Sequence, residues 1–253
     1  MAINVNTVYQ TVLLIINKEQ RGYITPDEFN KTATQVQLDI FEQYFDSLNQ
    51  QIRVPQTNFD YSNRQTNIDN KISQFKCFGN CSYSGGDFNL PTTDVNTGRN
   101  ITYSGEPGSN EFSFYTLGDP VYTGGTYDVD MQRVQRNNIY KILKSDLASP
   151  SDEYPVYIYE NNKIKVYPLS IVSNVATSFL RKPLNVKWAF TVGGQGQYLY
   201  DPSSASQNFE LQSNEQVNVI LRILQYSGII VKDTQIIQAA SAEIQQNEIN
   251  KKS

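Results

Sequence analysis

The residues that most often do chemistry in proteins are scarce in this chain. Histidine is absent, which removes the commonest general acid or base and the commonest metal ligand. Two cysteines, Cys77 and Cys81, lie close together in a polar stretch, but two thiols alone do not complete a zinc site. We interpret both as reduced thiols, with a local disulfide or a redox pair as the alternatives. The sequence therefore predicts no metal and no cofactor.

Acidic residues are the remaining catalytic candidates. Asp128 is close to Asp130, and Asp152 is next to Glu153. Paired carboxylates can serve as general acid and base, but neighbouring acids in polar stretches such as these are usually just solvated. We therefore predict that the protein is not an enzyme and has no catalytic residue.

One stretch resembles a calcium-binding loop. Residues 17–28 place side-chain oxygens at the first and third positions, glycine at the sixth and glutamate at the twelfth. Arg21 occupies the fifth position, where a ligand oxygen is needed. The same stretch ends in Thr25-Pro26-Asp27-Glu28, which combines a helix N-cap, a proline at the first helical position and a capping-box glutamate. We prefer the helix start and keep calcium binding as the alternative.

The N-terminal residues 1–52 are predicted to form a helical hairpin. The first helix shows apolar residues at helical spacing and is expected to stop at Gly22. The second helix begins at the Thr25 cap and is expected to end near Asn49. The apolar positions that define the two helices are Val5, Val8, Val12 and Ile15, followed by Phe29, Ala33, Val36, Ile40 and Tyr44.

The C-terminal residues 213–253 are predicted to form a second helical pair that packs with residues 1–52. Ser213-Asn214-Glu215-Gln216 resembles a capping box, Gly228 a helix stop and Asp233 the cap of a last helix. Beyond Glu243 the sequence is polar nearly all round, so this tail either frays or lies in a groove of another subunit. The tail residues that are candidates for docking a partner are Ile244, Ile249, Lys251 and Lys252.

Residues 53–127 are rich in glycine, asparagine and tyrosine and predict long loops. Their glycine clusters indicate turns, because none carries the lysine of a phosphate-binding loop. A loop region of this length either carries short strands or becomes ordered against a neighbouring subunit. Its aromatic residues are candidate interface anchors, with a small additional core as the alternative. These docking candidates are Phe112, Phe114, Tyr115, Tyr122 and Tyr127.

Residues 128–212 are predicted to form one small antiparallel sheet. Residues 131–143 suit either a strand or a short helix. Strands over 154–159 and 163–167 flank a turn, and Val156, Ile158, Ile164 and Val166 are expected to share one face. Further strands are predicted over 172–180, 188–190 and 197–200, with Arg181, Lys182 and Lys187 as a solvated basic rim.

These elements predict an α+β fold in which the two helical pairs form a bundle with an inserted small antiparallel β-sheet and long loops. The chain has no apolar run long enough to cross a membrane and no basic leader, so we expect a soluble protein with no membrane partner. A formal net charge of −4 disfavours sequence recognition of DNA, but it would let double-stranded DNA pass without adhering.

Several segments resemble virion structural proteins of crAss-like and related short-tailed bacteriophages. In the N-terminal part these are NTVY at 6–9, NKEQRGY at 17–23, TPDEFN at 25–30 and QVQL at 35–38. In the C-terminal part they are FLRKP at 179–183, KW at 187–188, NFEL at 208–211, residues 215–228 and the glutamine-rich and glutamate-rich final helix. The resemblance covers both ends well and the middle poorly.

This resemblance implies a neck component in the virion, a head-to-tail connector or ring protein made in the bacterial host cytoplasm. The implied partners are other copies of the chain in a ring of twelve subunits, the portal protein and neighbouring neck or tail ring proteins. It implies no catalytic residue. Two alternatives stay open: another virion part, such as a tail ring, tail hub, capsid accessory or cargo protein, and a receptor-binding or glycan-binding tail protein.

Overall fold

The computed structural model describes residues 2–18, 23–53, 60–105, 107–108, 111–125, 127–202, 206–230, 238 and 241–246. The chain divides into two compact units. The helical unit comprises Met1–Ser73 and Pro183–Ser253, and the sheet unit comprises Gln74–Lys182. The predicted boundary between residues 127 and 128 falls inside the sheet unit.

Four helices dominate the helical unit. They are α1 (Val5–Lys18), α2 (Pro26–Arg53), α3 (Asp60–Ser73) and α5 (Gln216–Ile230), the last preceded by a 3-10 turn over Ser213–Glu215. Strands β1 (Ala2–Ile3) and β14 (Phe209–Gln212) pair antiparallel. Strands β12 (Phe190–Val192) and β13 (Tyr198–Tyr200) form a separate antiparallel ribbon.

The N-terminal helices are confirmed, and most of their predicted apolar positions are buried. Val5, Val8 and Val12 have no exposed surface, but Ile16 rather than Ile15 completes the buried face of α1. Helix α2 extends to Arg53, one turn beyond the predicted end near Asn49.

The capping box at the start of α2 is also confirmed. Glu28 Oε2 accepts hydrogen bonds from the Thr25 backbone N–H at 2.9 Å and from Thr25 Oγ1 at 2.8 Å. The Glu28 N–H donates in return to Thr25 Oγ1 at 3.3 Å. These hydrogen bonds hold the pKa of Glu28 below its usual range. The bond from the Thr25 backbone N–H has the larger effect, and the bond from the Thr25 hydroxyl has the smaller one.

Replacing Thr25 with alanine is expected to lower the free energy of unfolding by about 1 kcal/mol, because the N-cap acceptor is lost. Thermal unfolding followed by circular dichroism measures the change. Thr25→Ser keeps the hydroxyl and is the matched control, and we expect its stability to stay near that of the wild type. An alanine variant as stable as the serine variant would contradict the role of this cap.

The predicted capping box at residues 213–216 and the predicted helix end at Gly228 are both wrong. Gln212, whose side chain makes no capping bond, stands at the N-cap of the 3-10 turn. Glu215, which was assigned to the capping region, is instead buried with 2% of its surface exposed. Helix α5 continues through Gly228 to Ile230, and most of the predicted last helix lies outside the described residues.

Eleven elements build the described part of the sheet unit. They are β2 (Lys76–Asn80), β3 (Ser82–Ser84), β4 (Asp87–Asn89), β5 (Asn100–Thr102), β6 (Glu111–Tyr122), β7 (Val129–Asp130), β8 (Gln132–Arg133), α4 (Arg136–Ile142), β9 (Val156–Glu160), β10 (Lys163–Tyr167) and β11 (Val175–Arg181). One sheet has the order β3-β4-β10-β9-β8, and the other has β2-β11-β6-β5 with β7 paired to β6. Pairs β5–β6 and β8–β9 are parallel, so both sheets are mixed.

The predicted helical bundle with one small inserted sheet and long loops is wrong. The protein is α+β with several antiparallel and mixed sheets, and strands β2 to β6 fall in the stretch assigned to loops. Most of these strands have three to five residues, too short to show a clear alternation between polar and apolar residues. The strands predicted at 188–190 and 197–200 do not extend the same sheet, because in the described part of the chain β12 and β13 form a separate two-stranded sheet.

The β9–β10 hairpin is confirmed, but its predicted apolar face is wrong. Lys163 pairs with Glu160 and Lys165 pairs with Ile158, and directly paired residues lie on the same face. One face therefore carries these lysines together with the residues that pack on α4, namely Val156 and Ile158 against Ile139. The opposite face carries Tyr157, Ile164 and Val166, which lie in the main core of the sheet unit with Phe88, Leu90, Met131, Ile171 and Val175.

The stretch 131–143 contains both predicted alternatives in succession. Strand β8 is followed directly by α4, which buries Ile139 against the hairpin. Helix α4 therefore covers one end of the hairpin face that carries the lysines.

Candidate interaction surfaces

In the described ranges, no three histidine, cysteine, aspartate or glutamate side chains come together as a metal site. Asp128, Asp130, Asp152 and Glu153 are exposed on loops and at the end of β7. Glu28 stands at the last position of the stretch that resembles a calcium-binding loop. Its carboxylate accepts the two hydrogen bonds from Thr25. Arg21 of the same loop lies outside the described residues.

The aromatic docking candidates divide between the core and the surface. Phe112 is 3% exposed, and Phe114 packs against Tyr103 at a centroid distance of 5.0 Å. Tyr122 packs against the main core, and Tyr115 is half-buried. Tyr127, at 81% exposed, is the member of the set most available to a partner. These positions favour the core alternative for Phe112, Phe114 and Tyr122.

The predicted solvated basic rim is wrong for Arg181, which is buried. Its guanidinium carbon lies 4.2 Å from the Phe112 ring centroid and 5.3 Å from that of Phe75. Arg181 also donates to the backbone carbonyls of Gln74 and Lys182, each at 3.3 Å. The alternation of β11 turns Arg181 inward, where cation–π contacts hold a buried cation. Lys182 and Lys187 are exposed.

The tail candidates are described only in part. Ile244 is 8% exposed, and Ser241 of the same segment accepts a hydrogen bond from Gln225 Nε2 of α5 at 3.2 Å. This segment therefore packs on the helical unit of its own chain. Ile249, Lys251 and Lys252 lie outside the described residues.

Both cysteines are free thiols, which confirms the preferred interpretation. Cys77 lies within β2, and the ladder continues to Cys81, whose N–H donates to the Val175 carbonyl at 2.8 Å. Four residues of extended chain span about 13 Å, whereas a disulfide needs Cα atoms within about 7 Å. Burial raises the pKa of the Cys81 thiol to about 12, so it is protonated and unreactive near neutral pH.

The β12–β13 ribbon forms an exposed surface on the helical unit. Trp188 stacks on Phe190 and on Tyr200, at centroid distances of 5.9 and 5.7 Å, and so anchors the base of the ribbon. The outer part exposes Val192 at 64% and Tyr198 at 40%. Among the described residues these strands form a two-stranded ribbon, and exposed apolar residues on such a ribbon are typical of a contact surface.

A small pocket in the sheet unit carries a mixed set of charges. It has a volume of about 270 Å³ and its charged lining is Asp87, Arg136, Glu160, Lys163 and Lys165. We call these five residues the basic pocket. Arg136 binds Glu160 through its Nε at 2.8 and 2.9 Å and also through Nη2. These hydrogen bonds lower the pKa of Glu160, so the pocket keeps one net positive charge.

An acidic loop lies at the other end of β9. We use this name for residues 151–154, which comprise Ser151, Asp152, Glu153 and the 76% exposed Tyr154. The Tyr154 N–H donates to the Ser151 carbonyl at 3.1 Å, and Ser170 Oγ donates to Asp152 Oδ1 at 3.1 Å. These bonds hold the loop, so its two carboxylates are presented on a defined turn.

The sequence carries one signal for the basic pocket that the predictions above do not use. The two-residue turn at Asn161 and Asn162 pairs Glu160 with Lys163, and counting along the strands from that pair places Lys165 on the same face. Arg136 could not be found in this way, because its contact with Glu160 joins residues from different elements.

Helices of the described ranges fall short of the length and apolar character needed to cross a membrane. No protein-family model matches the chain, and a search of curated proteins found no significant match.

Proposed function

We propose that this chain is a structural subunit of a tailed-phage virion, a head-to-tail connector that joins the portal to the tail and lines the DNA channel. The proposal starts from the resemblance in the terminal segments. Its structural support is that motif residues far apart in sequence bind one another within one unit.

The first set of such contacts surrounds Trp188. Its indole Nε1 donates to Asn6 Oδ1 at 3.0 Å, and its backbone N–H donates to Asn30 Oδ1 at 2.7 Å. Asn30 Nδ2 donates back to the Trp188 carbonyl at 3.3 Å. Three of the resembling segments therefore meet at one residue.

The second set surrounds Gln37 of α2, whose side chain is 1% exposed. Gln37 Oε1 accepts from the Glu210 N–H at 2.7 Å, and Gln37 Nε2 donates to the Leu184 carbonyl at 2.7 Å. Buried polar groups need such partners, so these residue types are determined by their contacts. Residues of the resembling segments therefore bind one another inside the helical unit. This observation carries the proposal.

The surface and charge of the chain agree with a connector. The β12–β13 ribbon offers the exposed side chains of Val192 and Tyr198 for contact with another subunit. A net charge of −4 disfavours adhesion of phosphates, which suits the lining of a channel through which DNA moves during packaging and ejection.

Phage particles provide the test. We expect mass spectrometry to find the chain in purified virions, and disruption of its gene to yield heads without attached tails and without ring-shaped neck density in averaged electron micrographs. The same experiment tests the tail of the chain through a truncation after Gln246. This truncation keeps the buried Ile244, so the fold is expected to remain while tail attachment falls.

Two outcomes would contradict these expectations. Absence of the chain from purified virions would refute the connector function. Normal tails and retained DNA in particles made with the truncated chain would refute only the docking role of residues 247–253.

A receptor-binding or glycan-binding tail protein is the second candidate, and the sheet unit favours it. That unit consists mostly of short strands, and it exposes Tyr83, Tyr127 and Tyr154 at 42%, 81% and 76%. Tyrosine combines a flat apolar ring with a polar hydroxyl, which suits binding at a wet surface. Binding of the full chain to host-cell glycans, with normal necks in its absence, would favour this alternative.

A further inference from the structure

We infer that the basic pocket of one copy of this chain receives the acidic loop of a second copy, in a head-to-tail contact between sheet units. This inference rests on the proposed function as a ring subunit and names the surfaces by which copies would join.

The basic pocket suits an acidic side chain. Arg136 and Glu160 bind each other, which leaves Lys163 and Lys165 against the single carboxylate of Asp87. A volume of about 270 Å³ lies below the usual range of small-molecule sites and has room for one or two side chains. Ile158, which is 4% exposed, also lines the pocket and gives it an apolar wall.

The acidic loop supplies the complementary group. Asp152 and Glu153 are adjacent and exposed, and the Ser170 hydroxyl and the Ser151 carbonyl hold the turn that presents them. Tyr154 follows Glu153 in the chain, Leu169 precedes the Ser170 that binds Asp152, and the two are 76% and 62% exposed. The loop therefore combines charge that matches the pocket with apolar area to bury.

The two sites lie at different positions along β9. The acidic loop precedes β9 at Val156, and the basic pocket includes Glu160 at the other end of that strand. Four residues of strand separate these ends by about 13 Å, and the pairing of β9 with β10 and β8 fixes their direction. When copies join through two different, complementary sites, the contact is heterologous and generates a closed ring or an open filament.

Exchange of charges between the sites tests the inference on the full-length chain. Lys163→Glu with Lys165→Glu makes the pocket acidic, and Asp152→Lys with Glu153→Lys makes the loop basic. Each double variant alone faces like charges, and we expect self-association to weaken at least about 100-fold. Sedimentation velocity at low ionic strength measures the self-association of each variant. Added salt should weaken the self-association of the wild type.

Mixing the two double variants gives the decisive result. Every contact in an alternating assembly again joins opposite charges, so the equimolar mixture should assemble although neither component does. Lys182→Glu with Lys187→Glu makes the same change of charge at exposed lysines outside both sites and should assemble like the wild type. Circular dichroism verifies that every variant is folded.

The inference is overturned if the wild type stays monomeric, if folded variants assemble like the wild type, or if their mixture stays monomeric. These outcomes can be told apart from a failure of the proposed function. A chain found in virion necks whose assembly ignores the exchanges would leave that function standing without this contact. A chain that assembles through these sites but is absent from virions would do the reverse.

Discussion

Replacing Trp188 with alanine is expected to lower the free energy of unfolding of the helical unit by about 4 kcal/mol. Trp188 is 4% exposed, and its ring lies 4.3 Å from the Tyr9 centroid and stacks on Phe190 and Tyr200. Truncation leaves a large cavity between α1 and the β12–β13 ribbon. It also removes the indole donor from Asn6, an additional cost when a hydrogen bond in a partly buried site is lost.

Trp188→Phe separates the two contributions. Phenylalanine keeps an aromatic ring in the stack but has no N–H to donate, so we expect a smaller loss of about 1–2 kcal/mol. Tyr154→Ala, which removes a 76% exposed ring, is the control for an aromatic residue that makes little contact. Urea unfolding should be followed by circular dichroism, because Trp188 is the only tryptophan in the chain. An alanine variant as stable as the Tyr154 control would contradict this account.

The local parts of this fold could be predicted because their signals lie within a few residues. Thr25 and Glu28 form a reciprocal cap, and the Asn161-Asn162 turn has φ angles of 51° and 57°, which asparagine tolerates better than most residues. Each of these features is determined by the residues beside it.

The remaining fold depends on contacts that no local pattern reveals. Glu215 resembles part of a cap in sequence, yet it is buried beside Lys71 of a helix 144 positions away. Arg181 resembles a surface cation, yet two aromatic rings hold it inside. Strands β3, β4 and β5 were not predicted for a related reason, since strands of three residues are stabilised by their partners more than by their own sequence.

The candidate surfaces show the same division. Tyr127 was proposed as an anchor and is exposed, whereas Phe112 was proposed on the same grounds and lies under Arg181. Aromatic residues in polar stretches serve both purposes, so composition does not separate them. Part of the basic pocket could be predicted from the strand register, because the hairpin turn fixes which residues of β9 and β10 pair. The contact from Arg136 of α4 could not be predicted in this way.

Breaking the ion pair between Lys71 of α3 and Glu215 is expected to have the second large effect. Lys71 Nζ lies 2.7 Å from Glu215 Oε1, and the two side chains are 19% and 2% exposed. Lys71→Met should lower the free energy of unfolding by about 3 kcal/mol, because the Glu215 carboxylate stays buried after losing its cation. Glu215 keeps other interactions, among them the hydrogen bond from Asn218 Nδ2 at 3.2 Å, and these offset only part of this cost.

A second substitution shows whether the buried charge is the cause. Lys71→Met combined with Glu215→Met removes both charges at similar volume, and stability is expected to return most of the way to the wild type. Arg136→Met is the matched control at the pair with Glu160, whose side chains are 55% and 43% exposed, and it should hardly change the melting temperature because water screens exposed pairs. If the double variant were as unstable as Lys71→Met, packing by the lysine stem would explain the loss better than the ion pair.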